Sequence, residues 1–405
     1  MSFKIGLSGL NAAQKDLEVV SNNIANTSTV GFKGSRVEFA DVYASSVAGG
    51  NSQVAGVQVS GISQQFSQGS ITFTENALDM AINGQGFFVV SDNGELSYSR
   101  AGYFSLDAEN YLVNNLGNNL QGYSADNSGN ILPGSQTNLR VAQGTMPAQA
   151  TTQVASSANL DARETVLSGV IDPADPSTFH STMAFDVNDS LGSPHTVSLY
   201  FAKTADNTWA VDFYFDNGAT ADLSETFTFN TNGSLATPAG GTAALNIPLG
   251  DTRLSGSAAM NFDVDISDFS QLGADFTVNK VTQDGFPPGA LTGVRVSQEG
   301  ILQALYSNGQ TLTQGQVVLA DFPNENGLIP TGESLWQSSF ASGAPLIGAP
   351  GSGIMGELEA GALEQSNVDI SSQLVRLIEA QSNYQANAKT IETSNNLTQA
   401  LMNII

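Results

Sequence analysis

The chain has 405 residues, which is enough for two or three domains of ordinary size. Its 13 lysines and arginines stand against 38 aspartates and glutamates, and the resulting net charge of −25 argues against a nucleic-acid partner that needs clustered basic side chains. The absence of cysteine excludes disulfides, thiolate catalysis and cysteine-ligated metals.

The first two dozen residues are predicted to form one amphipathic helix. Its seam positions recur at alternating spacings of four and three, the pattern of a helix that packs against another helix. The apolar residues of this seam, which are candidate assembly residues, are Phe3, Leu7, Leu10, Leu17 and Ile24.

A polar, turn-prone stretch, SNNIANTSTVGFKGSR at residues 21–36, follows this helix. Gly31 and Gly34 permit turns there, and the Asn, Ser and Thr side chains can satisfy backbone groups that a helix end exposes. We interpret the stretch as a linker between the helix and the body of the protein. Val30 and Phe32 are candidates to dock this linker on a neighbour.

The middle of the chain is predicted to consist of strands and turns, because Gly, Asn, Asp and Ser separate short runs of β-branched and aromatic residues. Hairpins are predicted at residues 87–100, with Asn93-Gly94 at the turn, at 195–218, and at 301–322, with Asn308-Gly309 at the turn.

Composition changes near residues 142–158 and 282–289, which predicts an outer β domain inserted into another β domain. The predicted fold class is mainly β with α-helical termini: nested β domains plus a terminal two-helix, coiled-coil-like domain. The predicted layout assigns terminal heptad helices to residues 1–30 and 366–405, an extended linker region to 31–70 and 350–365, a β domain to 71–145 and 286–349, and the inserted domain to 146–285.

The C-terminal residues are predicted to form a second heptad helix, which begins near Ser366 because Ser366 and Asp369 resemble a capping box. Since the termini of folded domains usually lie near each other, the two helices can pair. The seam residues singled out in this helix are Ile370, Leu374, Leu377, Tyr384, Ile391 and Met402.

No group of residues in the sequence predicts catalysis, and we expect no cofactor and no metal. His180 and His195 lie in or beside the insertion without HExxH-type spacing, so we expect ordinary surface or turn histidines. The segments DNSGN, at 126–130, and DVNDSLG, at 186–192, lack the Gly and Glu positions of a calcium loop. We interpret them as Asx and Gly turns.

Membrane insertion is not expected, because no apolar run approaches ~18 residues. The N-terminal residues lack the layout of a cleaved signal peptide. Export from the cytoplasm would therefore need another route.

The terminal helices are the functional feature that the pattern predicts. Burying a Leu or Ile is worth ~1.5–3 kcal/mol, against ~1–2 kcal/mol for fixing each residue's backbone, so a lone helix of this length is marginal in water. We expect both ends to order fully only when other subunits cover them, and a private two-helix hairpin is the alternative. Head-to-tail helical contacts generate a ring or an open filament, so a polymer subunit is expected.

Four long segments resemble the bacterial flagellar rod and hook family: SNNIANTSTVGFKGSRVEF, ALDMAINGQGFFVV, YSRAGYFSLDAENYLVNNLGNNLQGY and the terminal GALEQSNVDISSQLVRLIEAQSNYQANAKTIETSNNLTQALMNII. The resemblance covers roughly residues 1–145 and 285–405, and the insertion is recognised by position alone. The family's linker motif falls on Asn22, Asn23, Asn26, Gly31, Phe32 and Lys33.

The resemblance, with the chain length and the insertion, favours the hook branch of that family. It implies a self-assembling subunit of a curved tube that acts as a universal joint between rod and filament, with the terminal helices lining the inner tube. It implies export without a cleaved signal through the flagellar type III apparatus, to an extracellular part of the flagellum. The implied partners are the chain itself and the distal rod, hook cap and hook–filament junction proteins.

Two other readings stay open from the sequence. A distal rod subunit would share the ends but should lack residues 146–285. An extracellular adhesin or an enzyme would be favoured only by a concave pocket with convergent polar groups in the inserted domain.

Overall fold

The computed structural model describes residues 2–44, 53–142 and 144–402. Within them the chain is mostly β, with helix α1 (Ser2–Ala25) at the front and helix α2 (Ile370–Met402) at the rear. The predicted fold class is confirmed at this level. The described residues form two compact units: a terminal unit, from 1–143, 293–305 and 311–405, and an inserted unit, from 144–292 and 306–310.

The strands are numbered here in chain order. The first run is β1 Ser35–Ala44, β2 Gln53–Gln64, β3 Ile71–Phe73, β4 Met80–Asn83, β5 Phe87–Asp92, β6 Glu95–Ser99, β7 Ser105–Leu106, β8 Leu112–Val113, β9 Asn119–Ala125 and β10 Ile131–Asn138. The second run is β11 Gln153–Asp161, β12 Ser181–Asn188, β13 Pro194–Ala205, β14 Thr208–Phe215, β15 Leu223–Phe229, β16 Leu235–Thr237, β17 Thr242–Ile247, β18 Met260–Asp265, β19 Ser270–Leu272 and β20 Thr277–Gln283. The third run is β21 Leu291–Val296, β22 Ile301–Tyr306, β23 Thr311–Val317, β24 Leu319–Asp321, β25 Ile329–Gly332, β26 Leu335–Gln337, β27 Leu346–Gly348, β28 Glu357–Ala360 and β29 Ala362–Glu364. Short 3-10 turns occur at Thr252–Leu254 and Glu325–Gly327.

A large sheet organises the terminal unit. Its main path runs β21-β22-β23-β9-β5-β6-β26-β25. The hairpin β1–β2 stands beside α1, while β28 pairs with β4 and β29 pairs with β3. These last two pairings join the C-terminal part of the chain to its front. One core cluster is aromatic: the Phe87 and Trp336 rings meet edge to face with centroids 5.7 Å apart.

The three predicted hairpins are confirmed. β5 pairs with β6, β13 with β14 and β22 with β23, each antiparallel. In the first, Asn93 and Gly94 both have positive φ, of 50° and 100°, as the tight turn between twisted strands requires.

The inserted unit is a β sandwich around one apolar core. One sheet has the order β12-β13-β14-β15-β16, and the other has the order β17-β18-β11-β19 with β20 on β11. Alternating residues of both sheets face inward, among them the fully buried Trp209, Phe213 and Phe227. The buried indole N–H of Trp209 donates to the side-chain oxygen of Gln271 at 2.9 Å, so this core also satisfies its polar atom.

The prediction of ordinary surface or turn histidines is wrong for this unit. His195 is buried on β13, between the carboxylates of Asp216 (Nδ1 to Oδ2, 2.6 Å) and Asp189 (Nε2 to Oδ2, 3.4 Å). The His180 side chain is 8% exposed and packs edge-on against Trp209. Strand alternation turns the His195 ring inward, whereas His180 lies in the bend just before β12, and carboxylates or an aromatic ring replace water as neighbours of the two rings.

The two calcium-like segments are turns, as predicted. Asp126 Oδ1 accepts the backbone N–H groups of Ser128 and Asn130, and Asp189 Oδ1 accepts those of Leu191 and Ser193. One oxygen of each carboxylate is therefore hydrogen-bonded to the backbone of its own turn.

Candidate assembly site

Helices α1 and α2 pack against each other antiparallel. Gly6 lies against Ile391 near one end, and Asn23 donates to the side-chain oxygen of Gln373 at 3.3 Å near the other. At Gly9 a Cβ atom would lie 2.4 Å from Oδ1 of Asn387. The helices therefore approach more closely there than a larger side chain would allow.

The cap of α2 differs from the predicted one. Asp369, rather than Ser366, accepts the N–H of Ser372 at 2.7 Å, so α2 begins at Ile370. Hydrogen bonds from Ser372 lower the pKa of Asp369. Ser366 cannot cap the helix because the next residue, Asn367, is still bonded to the body of the unit.

Of the predicted seam residues, Ile391 lies in the contact between the two helices, while several others stay exposed. Phe3 is 45% exposed, Ile370 51% and Leu374 46%. The remaining seam residues divide into two groups: Leu7 and Tyr384 are exposed, and Leu10, Leu17, Ile24, Leu377 and Ile391 are half-buried. Met402 is the last helical residue, and its side chain lies outside the described residues.

The most exposed apolar surface of α2 includes residues that the predicted seam omitted. Val375 is 57% exposed and Ile378 65%. Ile370, Leu374 and Ile378 recur every four residues, so they lie along one face of the helix. We call Ile370, Leu374, Val375 and Ile378 the uncovered stripe. The sequence indicates this stripe through the LVRLI run at 374–378, because four apolar residues out of five cannot all lie on one heptad seam.

Behind α1, the linker motif forms a hydrogen-bonded junction. Asn23 is buried, and its side chain both donates to the Ser35 carbonyl (2.8 Å) and accepts the Ser35 N–H (2.9 Å). Asn26 donates from its side chain to the carbonyl of Asn22 at 2.9 Å, which closes the last turn of α1. Asn22 itself is exposed and Phe32 half-buried. Asn23 therefore fixes the direction in which β1 leaves the helix.

A buried charge cluster lies at the centre of this junction. Lys33 Nζ lies 2.7 Å from Glu364 Oε1, and Arg100 lies 3.2 Å from Glu364 Oε2. The three side chains are at most 3% exposed. Glu364 Oε1 also accepts the N–H of Gly69 at 2.8 Å, and Lys33 donates to the Ser67 carbonyl at 2.8 Å. Burial lowers the pKa of Lys33, and the facing Glu364 opposes that shift.

Asn367 makes a second polar tie between the two ends of the chain. Its Nδ2 donates to the carbonyl of Gln65 at 2.7 Å, and its Oδ1 accepts the N–H of Gly34 at 2.8 Å. Sequence reasoning included Lys33 but missed Glu364, Arg100 and Asn367. The one available sequence signal was an acidic residue, Glu364, in the short and otherwise apolar strand ALE at 362–364. All three residues of that strand are buried.

Gly31 is the position in the linker where substitution should be most damaging. Its φ is +69°, and a Cβ would lie 2.4 Å from the backbone nitrogen of Ala101. Gly31→Ala should therefore lower the free energy of unfolding of the terminal unit by about 2–4 kcal/mol, through left-handed strain plus displaced backbone. Urea unfolding followed by the fluorescence of Trp336 measures this.

The matched control for Gly31 is Gly117→Ala. Gly117 also has positive φ, of +85°, but nothing lies within 4 Å of its added Cβ. That variant should lose only about 1 kcal/mol. Equal losses in the two variants would show that the close approach to Ala101 is unimportant.

The described residues give no sign of catalytic or membrane-spanning chemistry. Among them, no group of three or more His, Asp or Glu side chains could hold a metal ion. No helix in the described ranges is both long enough and apolar enough to cross a bilayer.

Comparison with known families gives matches along most of the chain. The matched family descriptions are flagella basal body rod protein (residues 3–33), flagellar hook protein FlgE/F/G D1 domain (81–157), flagellar basal body protein FlaE D2 domain (159–286) and flagellar basal body rod FlgEFG protein C-terminal (359–404). A solved structure, the flagellar hook protein FlgE2 of Helicobacter pylori, aligns with a TM-score of 0.54 at 15% identity, over 73% of this chain and all of the other. That likeness supports the fold.

Full-length relatives carry the stronger evidence. The flagellar hook proteins FlgE of Salmonella typhimurium and of Escherichia coli K12 are each 39% identical to this chain over 414 aligned positions, covering 100% of both sequences in each comparison. The chain therefore belongs to the flagellar hook protein FlgE family, a family of structural proteins of the flagellum.

Proposed function

We propose that this chain is the structural subunit of a flagellar hook, and that it assembles into a curved helical tube that works as a universal joint, transmitting torque from rod to filament. The observation that carries the assembly mechanism is the uncovered stripe on α2. Ile370, Leu374 and Ile378 are 46–65% exposed although they belong to a well-formed helix. Their apolar surface is available for helices of neighbouring copies.

The energetic argument favours contact between copies. Burying one Leu or Ile fully is worth about 1.5–3 kcal/mol, so several stripe residues covered at once would give a stable contact. Within one chain α1 and α2 pack against each other, which is the two-helix hairpin given above as the alternative to ends that other subunits order. This pairing would lower the entropy cost of assembly. A contact between unlike surfaces of identical subunits propagates as an open helix unless the rotation closes it into a ring.

The four-part layout belongs to this proposal. Residues 1–30 and 366–405 form the inner layer, 31–70 and 350–365 the linker region, 71–145 and 286–349 a β domain, and 146–285 the outer domain. Residues 45–52 of the linker region lie outside the described residues. Flexibility of the tube would come from contacts between copies that slide while each β unit moves as a rigid body.

The partners and the location also belong to the proposal. The chain would contact copies of itself, the distal rod, the hook cap and the hook–filament junction proteins. It would leave the cell through the flagellar type III export apparatus without a cleaved signal peptide, and it would function outside the cell. The inserted unit favours the hook over a distal rod subunit, which should lack it.

Electron microscopy of the purified full-length chain, induced to polymerise with a kosmotropic salt, tests the proposal. Curved hollow tubes are expected, with amide exchange in α1 and α2 slower in tubes than in monomers because neighbouring copies then cover both helices. Protein that stays monomeric under all such conditions, or that forms only amorphous aggregates, would contradict it.

A further inference from the structure

The side chain of Phe340, in the terminal unit, is fully exposed to solvent. Its exposure is 106% of the reference value, so the ring makes essentially no packing contact within the chain. It lies in the segment between β26 and β27. A phenylalanine is among the residues most often buried, and an isolated one at full exposure has no role in the stability of its own subunit.

The loop that carries Phe340 is tightly organised. Ser339 Oγ accepts the N–H groups of Ala341 (3.0 Å) and Ser342 (3.2 Å) and donates to the Gly327 carbonyl at 2.6 Å. Ser342 is completely buried, and its Oγ donates to the Ser339 carbonyl at 2.8 Å. These bonds clamp both neighbours of Phe340.

A second segment fixes the same loop from the side. Asn324 Nδ2 donates to the carbonyl of Ala341 at 2.9 Å, and its backbone N–H donates to the Ser342 carbonyl at 3.3 Å. A Cβ at Gly327 would lie 2.3 Å from the nitrogen of Ser342, so the two backbones are in close contact. The aromatic ring is thus presented on a rigid support, which reduces the entropy that a contact must overcome.

We propose that Phe340 is an anchor residue that inserts into the surface of a second copy of this chain, forming a contact between the terminal units of neighbouring subunits. The inference rests on the proposed function as a polymer subunit. A large, rigid, fully exposed aromatic is the type of side chain that dominates binding energy when a partner buries it.

Charge supports a second copy as the occupant. Two chains that each carry a net charge of −25 approach each other most easily through surface with few acidic groups. Residues 334–356, which include the whole loop, contain no Asp, Glu, Lys or Arg. A basic partner would be expected to select an acidic surface instead.

Measuring the critical concentration for tube formation tests the anchor. Phe340→Ala should raise it at least tenfold in the full-length chain, because burial of a phenylalanine is lost at each contact, and should leave monomer unfolding unchanged. Leu249→Ala is the control: that leucine is 75% exposed in the inserted unit, and its loss should not alter assembly.

A spectroscopic variant reports the contact directly. In Phe340→Trp, the added indole is exposed in the monomer, and its emission should shift to shorter wavelength in tubes, whereas Leu249→Trp should show no such shift. If the wild type forms tubes but Phe340→Ala assembles at the same critical concentration, the anchor proposal is wrong and the hook proposal stands. The same holds if the emission of Phe340→Trp does not shift in tubes. Absence of wild-type tubes would overturn both.

Discussion

Glu364→Gln is expected to lower the free energy of unfolding of the terminal unit by about 3–5 kcal/mol, the usual cost of removing one partner from a buried ion pair. The substitution leaves Lys33 and Arg100, both almost completely buried, without the paired carboxylate of Glu364, and the half-buried Glu325 is then the remaining acidic group near them. It keeps the size of the side chain, so the loss would come from electrostatics and hydrogen bonding rather than from a cavity.

The two tryptophans make this measurement specific. Trp336 lies in the terminal unit and Trp209 in the inserted unit. In a Trp209→Phe background, urea unfolding followed by fluorescence therefore reports the terminal unit alone. The control is Glu392→Gln, because the Lys389–Glu392 pair is exposed at 72% and 57% and its removal should leave the transition unchanged.

A double-mutant cycle separates the ion pair from general damage. Combining Lys33→Met with Glu364→Gln should cost clearly less than the sum of the two single losses, because Lys33→Met removes one of the two buried cations that Glu364→Gln leaves without its carboxylate. Strict additivity would show that Lys33 and Glu364 do not stabilise each other, and a Glu364→Gln transition equal to wild type would refute the cluster's role altogether.

Features with local signals could be predicted from the sequence. The hairpin at Asn93-Gly94 needs two residues with positive φ between alternating strands, and both requirements are visible in a short window. The heptads similarly predicted a helix at each end. The start of α2 was misplaced because the tertiary bonds of Asn367, to Gln65 and Gly34, override the local capping signal.

Features that depend on distant residues could not be predicted. Lys33 and Glu364 are 331 positions apart, and no local pattern indicates that they meet. The face along which α1 meets α2 was only partly predicted, because Ile391 belongs to the predicted seam but Gly6, Gly9 and Asn387 have no hydrophobic signature. Small residues allow the helix pair to close, while Leu374 and Ile378 remain exposed.

The junction and the uncovered stripe have different roles, one within the subunit and one between subunits. The junction and part of the helix contact are built from polar or small groups: the Lys33–Glu364 pair, the Asn23–Ser35 bonds and the Gly9–Asn387 approach. The exposed surface of α2 includes the apolar uncovered stripe. In such a subunit the junction fixes the angle between the helices and β1 before a neighbour binds. The uncovered stripe stays exposed and is available for contact with that neighbour.

The double variant Leu374→Ser with Ile378→Ser should abolish tube formation at concentrations that suffice for wild type. Full burial of an exposed Leu or Ile contributes about 1.5–3 kcal/mol, and since these two side chains are 46% and 65% exposed, losing both should raise the critical concentration at least about tenfold. Monomer stability should change little, because these side chains are 46% and 65% exposed within the subunit. Sedimentation of polymer against total protein measures the critical concentration, and circular dichroism checks the helices.

The matched control is Leu191→Ser with Leu249→Ser, which removes comparable side chains that are 61% and 75% exposed in the inserted unit. If solubility alone governed assembly, the two double variants would shift the critical concentration equally. If the uncovered stripe is the contact, only the α2 variant loses tubes, while its urea transition stays at the wild-type position. If the α2 variant assembles like the wild type, the uncovered stripe is not a contact between copies, and the helix pair serves only the structure of its own subunit.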